Sequence, residues 1–466
     1  MKSGTSISSS ATSSSKVTRR FGVSLSRSNA TEIGSFDAIG SATPPSVAAL
    51  MKFEEVQVDY YTGSPSISVP LFAHSFRGLN YDLTLNYNPS GVRVDEISTW
   101  VGTGWSLNEG GAVSRTVVGL PDERKILTSD PLTGSYTSGG VFHNDYFNFE
   151  NLTDYKKQRL IWESSNGDIQ NDVNMDIFQF NFFGRTGRFH VIKNNQGNLE
   201  AKTIGDLNHL KIELFHNIDF VISKFVITDE KGFKYTFDAI EQTQQFSEFA
   251  SKTQHSHIKT HTISSTAYMH FNSAWKITKV ETPNNELICE FIYVYYNQIY
   301  STPYSVVTNK IINIPLSSFS NSGTSYMYND GVLKPKELTS WNSISLNGVK
   351  IQQINFFDNT SIVFNTTNHP EGGYKLNDIT INNNNIPLKS FTFNSNINNF
   401  NRLFLDEIVQ NNGLENLKYS FDYFERTNLE GKNSLNRDDF GYFNGGNFKD
   451  SNKNFIRYGL STLSGN

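Results

Sequence analysis

The chain has 466 residues, a formal net charge of −5, 18% charged residues and a single cysteine. That length can bury more than one core, and the mild acidity argues against a nucleic-acid binder, which normally shows a basic domain or stripe. One cysteine excludes an intrachain disulfide framework and a thiolate metal cluster, and no run approaches the roughly 18 apolar residues of a membrane-spanning helix.

Phe (36) and Tyr (21) are plentiful while Met (5) is scarce, a balance that favours strands over helices. Residues 1–43 read as a flexible Ser/Thr-rich leader. Met1-Lys2 supplies a basic start, but no apolar run of signal-peptide length follows, so the export signal is expected upstream or missing. Residues 44–170 read as an N-terminal β unit, punctuated by glycines to residue 120 and ending in a loop-rich insertion. Residues 171–334 give a strand-rich middle region, 335–450 a C-terminal meander and 451–466 a tail.

The strand signal is alternation. Ile67, Val69 and Leu71 alternate with polar or turn residues, as do Tyr81, Leu83, Leu85 and Tyr87. The same period of two recurs at Phe178-Phe180-Phe182, Phe391-Phe393 and Tyr419-Phe421-Tyr423; it puts one face inward and one outward. Turn formers separate these runs at Gly372-Gly373, Asn411-Asn412-Gly413 and Asn444-Gly445-Gly446, and Asn382 to Asn385 reads as a polar turn. Short helical turns are expected only near Ser46 to Phe53 and Ile240 to Phe249. The fold class expected is all-β, with large multi-stranded antiparallel sheets. Cys289, within Leu287-Ile288-Cys289-Glu290-Phe291, reads as a buried strand cysteine.

Candidate chemistry is sparse. His255, His257 and His261 form the only histidine cluster and would share a strand face, so a divalent metal is conceivable there. No cysteine joins them, and an exposed polar strand is the favoured reading. A Gly-x-Ser-x-Gly elbow, a P-loop and a Rossmann glycine fingerprint are all absent. No catalytic residue, cofactor or metal site is assigned.

The most specific stretch runs from Gly63 through Ile67-Ser68-Val69-Pro70 to Tyr87-Asn88-Pro89-Ser90-Gly91. It continues with Trp100-Val101-Gly102-Thr103-Gly104-Trp105-Ser106-Leu107, then Gly110-Gly111 and Ser114-Arg115. Later come Ala274-Trp275-Lys276-Ile277, Arg402-Leu403-Phe404-Leu405-Asp406-Glu407-Ile408 and Phe440-Gly441-Tyr442-Phe443-Asn444-Gly445. This collinear series resembles the N-terminal region of Bacteroidetes-type RHS/YD-repeat surface proteins and, more distantly, the SpvB/TcaC-type start of toxin-complex shells. The resemblance covers about residues 44–447. It implies a non-enzymatic segment of a β-shell wall, at the cell surface or outside the cell, completed by a C-terminal RHS continuation or by another chain. The chain carries no YD-repeat array and no effector segment, so it is expected to represent only the leading part. A glycan- or surface-binding adhesin-like module is the alternative, with glycan as its partner.

From the residues alone, Gly102 and Gly104 flank a turn that lets Trp105 fold onto a neighbouring sheet. Gly110-Gly111 reads as a second tight turn or bulge. Trp100 and Trp105 read as core anchors, and Arg115, Asp95 and Glu96 as a solvated or locally paired charge set.

Overall fold

The computed structural model describes residues 57–58, 65–89, 91–130, 134–165, 171–205, 209–254, 259–301, 305–309, 336–369, 372–411, 416–423, 426–432, 434, 437–438 and 440–443. The fold among them is all-β, in antiparallel sheets.

A small sheet comes first, in the order β1 (Gln57–Val58), β2 (Pro65–Phe76), β3 (Leu79–Tyr87), β4 (Trp105–Leu107). Along β3, Leu79, Tyr81, Leu83, Leu85 and Tyr87 are buried while Asn80, Asp82 and Asn86 are exposed, as the period of two requires. Pro70, which has no N–H for a ladder, sits where the β2–β3 register shifts.

A large sheet of 16 strands follows. Its first strand, β5 (Gly111–Thr116), leads into a separate hairpin of β6 (Lys125–Asp130) and β7 (Gly134–Gly139), then helix α1 (Asp154–Ser165). Next come β8 (Ile177–Phe182), β9 (Arg185–Lys193), β10 (Leu199–Ile204), β11 (Lys211–His216) and β12 (Ile222–Thr228). Four longer strands succeed them: β13 (Lys234–Gln254), β14 (Lys259–Glu281), β15 (Leu287–Ser301) and, after the short β16 (Ser305–Asn309), β17 (Lys336–Phe356). The C-terminal meander is β18 (Thr360–Asn368), β19 (Tyr374–Asn383), β20 (Ile386–Ile397), β21 (Leu403–Asn411) and β22 (Asn416–Ser420).

The long strands organise this sheet by pairing in a cycle. β13 runs beside β14, β14 holds β15 at Lys279 to Glu281, β15 runs beside β17, and β17 returns to β13 from Gln242–Asn347 onward. Nearer its start, β13 pairs with β12 instead, and nearer its end β17 pairs with β18. The sheet therefore divides into two wings, the first ending at β10 and, through β12, at β11, and the second at β22. Four register shifts along β13–β14 supply the bends that such a division needs.

One apolar core joins the wings to the small sheet. Phe182 and Phe237 of the first wing lie 5.3 Å apart, and Tyr81 of the small sheet reaches Phe356 of the second at 5.6 Å. Buried aromatic pairs of this kind add to the burial of apolar area. Cys289 is fully buried in β15, where burial pushes its thiol pKa up.

Two expectations are corrected. Ile240 to Phe249 is strand, not helix: β13 is paired there by β14 on one edge and by β17 on the other from Gln242, and tertiary pairing overrides local propensity. Between 121 and 170 the chain also forms a hairpin and α1, whose Lys-Lys-Gln-Arg-Leu stretch is made of good helix formers. The expected turn near Ser46 to Phe53 lies outside the described residues. Asn384 and Asn385 do form the β19–β20 turn, both with positive φ (49° and 63°), the conformation a two-residue hairpin loop demands and asparagine tolerates.

Candidate functional site

The glycine-rich signature builds a seam between the start and the end of the chain. Thr99 Oγ donates to the Gly102 and Trp105 carbonyls at 3.0 and 2.6 Å, closing the turn before β4. The turn lies against β21: the Thr103 amide and hydroxyl both donate to the Leu403 carbonyl at 2.7 Å, and the Leu403 amide donates to Ser98 Oγ at 3.2 Å. Gly102 has φ +152°, and a Cβ there would stand 2.9 Å from the Leu405 amide nitrogen. A side chain is therefore excluded by backbone, not by a movable neighbour. Trp105 is 1% exposed; its ring lies 4.9 Å from Tyr87 and 4.6 Å from Phe421, and its indole N–H donates to Tyr423 Oη at 2.7 Å.

Arg402 fastens the seam. It is fully buried and donates through Nε to the Glu430 carbonyl (2.9 Å), through Nη1 to that of Glu96 (3.0 Å) and through Nη2 to that of Val94. Beside it the Val94 amide donates to the Gly441 carbonyl at 2.8 Å, and Arg93 bridges to Tyr442 in antiparallel fashion. Three motifs, around 94–105, 402–408 and 437–443, the first some three hundred residues before the other two, thus meet in one place. Burial raises the pKa of the neighbouring Glu96 carboxyl.

A second polar cluster stands at the far end of β5. Arg115 is buried, with Nε 2.7 Å from Asp176 Oδ2 and Nη1 2.9 Å from Glu123 Oε1, and its guanidinium lies 5.4 Å over the Phe178 ring. Asp176 and Asp122 are joined reciprocally, each main-chain N–H donating to the other's carboxylate. Burial disfavours the charge on Arg115, but Glu123 and Asp176 outweigh it and raise its pKa. Burial raises both aspartate pKa values, and for Asp122 the nearby Asp176 charge adds to it. Asp176 faces the cation, so Asp122 is the carboxyl that keeps a proton.

A trough of about 670 Å³ crosses the outer face of the first wing. Small side chains of β5 (Ala112 and Ser114) make its floor, because Gly111 to Ser114 lies between two strands carrying long ones. Gln179 and Asn181 of β8, Arg188 of β9 and Lys276 of β14 stand along it. Gln179 and Asn181 alternate with the buried Phe178, Phe180 and Phe182, which places the trough opposite the core.

No family model matches this chain, and no curated protein matches it. Among solved structures it is similar to the N-terminal domain of the effector protein SpvB from Salmonella typhimurium strain LT2, at 9% identity and a TM-score of 0.29, over 77% of this chain and 99% of that one. A superposition that loose carries no argument about function.

The sequence-singled residues fall into three groups. Pro70, Trp100, Gly102, Gly104, Trp105, Gly110, Gly111, Gly441 and Tyr442 lie in the small sheet, the seam or the entry to β5; Trp100 and Trp105 are buried. Arg115 is not solvated: it is an enclosed cation paired locally with Glu123, eight residues on, and also with Asp176, 61 residues away, because the β5–β8 pairing carries that second carboxylate alongside. Asp95 is exposed and Glu96 half-buried. Gly63, Ser90, Asn444 and Gly445 lie outside the described residues, with His255 and His257; of the His261 side chain nothing is described, and Gly91 sits just beyond β3. Among the described residues no group of three His, Cys, Asp or Glu side chains is placed to hold a metal. Large exposed aromatics include Tyr155 and Trp162, both on α1, Tyr295 on β15 and Phe440. Arg402 enters the sequence reading only as the first residue of a motif, with no role of its own, and the pairing of Asp122 with Asp176 has no sequence signal beyond a charged residue next to apolar strand positions.

Proposed function

We propose that this chain is a non-enzymatic structural segment of a β-shell wall in an RHS-like secreted or cell-surface protein. The observation that carries the reading is the open-edged sheet: among the described residues β10 pairs only with β9 and β22 only with β21, at opposite ends of one broad sheet with a continuous apolar face. Unpaired edges template further strands, so a C-terminal continuation or another chain completes the wall. The order of the signature motifs supports the same reading, since their residues are used in turns, close backbone approaches and the seam. The carboxyls beside Arg115 are engaged by that cation and by main-chain amides, which suits a structural role.

Light scattering combined with limited proteolysis of the purified chain tests this. The expected result is association that grows with concentration, together with cleavage near β10 or β22 that association suppresses. A monomer resistant to protease at every concentration would overturn the reading.

A further inference from the structure

We propose that the outer trough is a binding site for an acidic oligosaccharide, a sugar chain bearing carboxylates. The proposal does not depend on the wall reading. Five side chains converge on the trough without a hydrogen bond or ion pair among the described residues: Asn108, Gln179, Asn181, Arg188 and Lys276. Elsewhere the buried guanidiniums are closely matched, as at Arg115 and Arg402; what marks the trough is that two cations and three amides without such partners line one concave surface. Amides and the Ser114 and Thr186 hydroxyls suit the donor and acceptor hydroxyls of a sugar. Arg188 and Lys276 suit its carboxylates. The one carboxylate in the lining, Glu109, lies 3.9 Å from Lys350 and is opposed by it.

A peptide fits less well. β5 is paired on both sides, by β8 and by β14, so the floor offers no free backbone for an added strand. The larger lining residues Leu107 and Phe180 are themselves buried, and the half-buried Tyr293 turns its hydroxyl to the Ile277 carbonyl, so the trough offers little apolar surface to a side chain. The floor of small residues leaves room for a narrow, extended, hydrated ligand.

The test is titration calorimetry of the full chain at low ionic strength with trigalacturonate, its fully methyl-esterified form and a hexaglutamate peptide. Trigalacturonate is expected to bind about tenfold or more tighter than the ester, the size of a charge-assisted hydrogen bond or two. The double variant Arg188→Gln/Lys276→Gln, at half-exposed or exposed positions, is expected to keep the melting temperature and erase that preference. Ala112→Leu, which fills the floor from the solvent side, is expected to abolish binding of both sugars. No binding of trigalacturonate, equal binding of acid and ester, tighter binding of hexaglutamate, or binding that survives Ala112→Leu would each overturn the proposal.

Discussion

Arg115 and Arg402 are both buried, yet they are satisfied in different ways. Arg115 meets carboxylates, supplied by β5's neighbours and by the loop that follows. Arg402 meets main-chain carbonyls from the segments on either side of the seam. The first arrangement depends on protonation state, because its partners titrate. The second rests on main-chain carbonyls, which do not titrate, with the Glu96 carboxylate adding only a charge nearby. A guanidinium with donors in a fixed fork can do either, and only the second use joins distant parts of the chain.

The comparison breaks most sharply at Arg402. Arg402→Met keeps the length of the side chain but withdraws the donors from Val94, Glu96 and Glu430; a loss of roughly 3–5 kcal/mol is expected from several buried carbonyls left short of a donor. Urea unfolding at neutral pH measures it. Asp176→Asn comes next. It puts an amide where one oxygen faces Arg115 and the other accepts the Val118 amide at 2.8 Å, so a donor must face a donor, at a cost of about 3 kcal/mol. Thermal unfolding near neutral pH reads it.

Asp122→Asn sharpens the contrast through pH. The folded pKa of Asp122 is raised above its unfolded value by burial and by the Asp176 charge. Its contribution is therefore fully present below the unfolded carboxylate pKa and lost as pH rises through the raised folded pKa. The amide fixes the neutral form and still accepts the Asp176 N–H. The variant should match the parent in acid and exceed it at alkaline pH, flattening the curve of urea midpoint against pH; an unchanged slope would remove Asp122 from the account. The smallest effect expected is Trp105→Phe, which keeps an aromatic ring between Tyr87 and Phe421 but deletes the hydrogen bond to Tyr423, for about 1–2 kcal/mol in urea midpoint.

Much of this fold was legible as alternation. Tyr81 to Tyr87 and Phe178 to Phe182 announce their buried faces, because a half-buried strand writes its geometry locally. The Ile240 to Phe249 stretch does not, since its strand form comes from partners on both edges, one of them β17, about a hundred residues away. The seam was half legible. Gly102 and Trp105 mark a tight turn on their own, but what the turn rests on is set by β21, three hundred residues on. Arg115 was half legible for the same reason: Glu123 lies within local reach, but the enclosure completed by Asp176, 61 residues on, is not written in the strand pattern.

The central claim is that the signature residues close the molecule rather than perform chemistry. Hydrogen exchange read by mass spectrometry, comparing the parent chain with Arg402→Met, tests it most directly. The account predicts that peptides covering 94–105 and 437–443 lose protection together while β13 and β14 near Trp275 keep theirs, as expected of one locally cooperative unit. Loss confined to the peptide that carries residue 402 would contradict it.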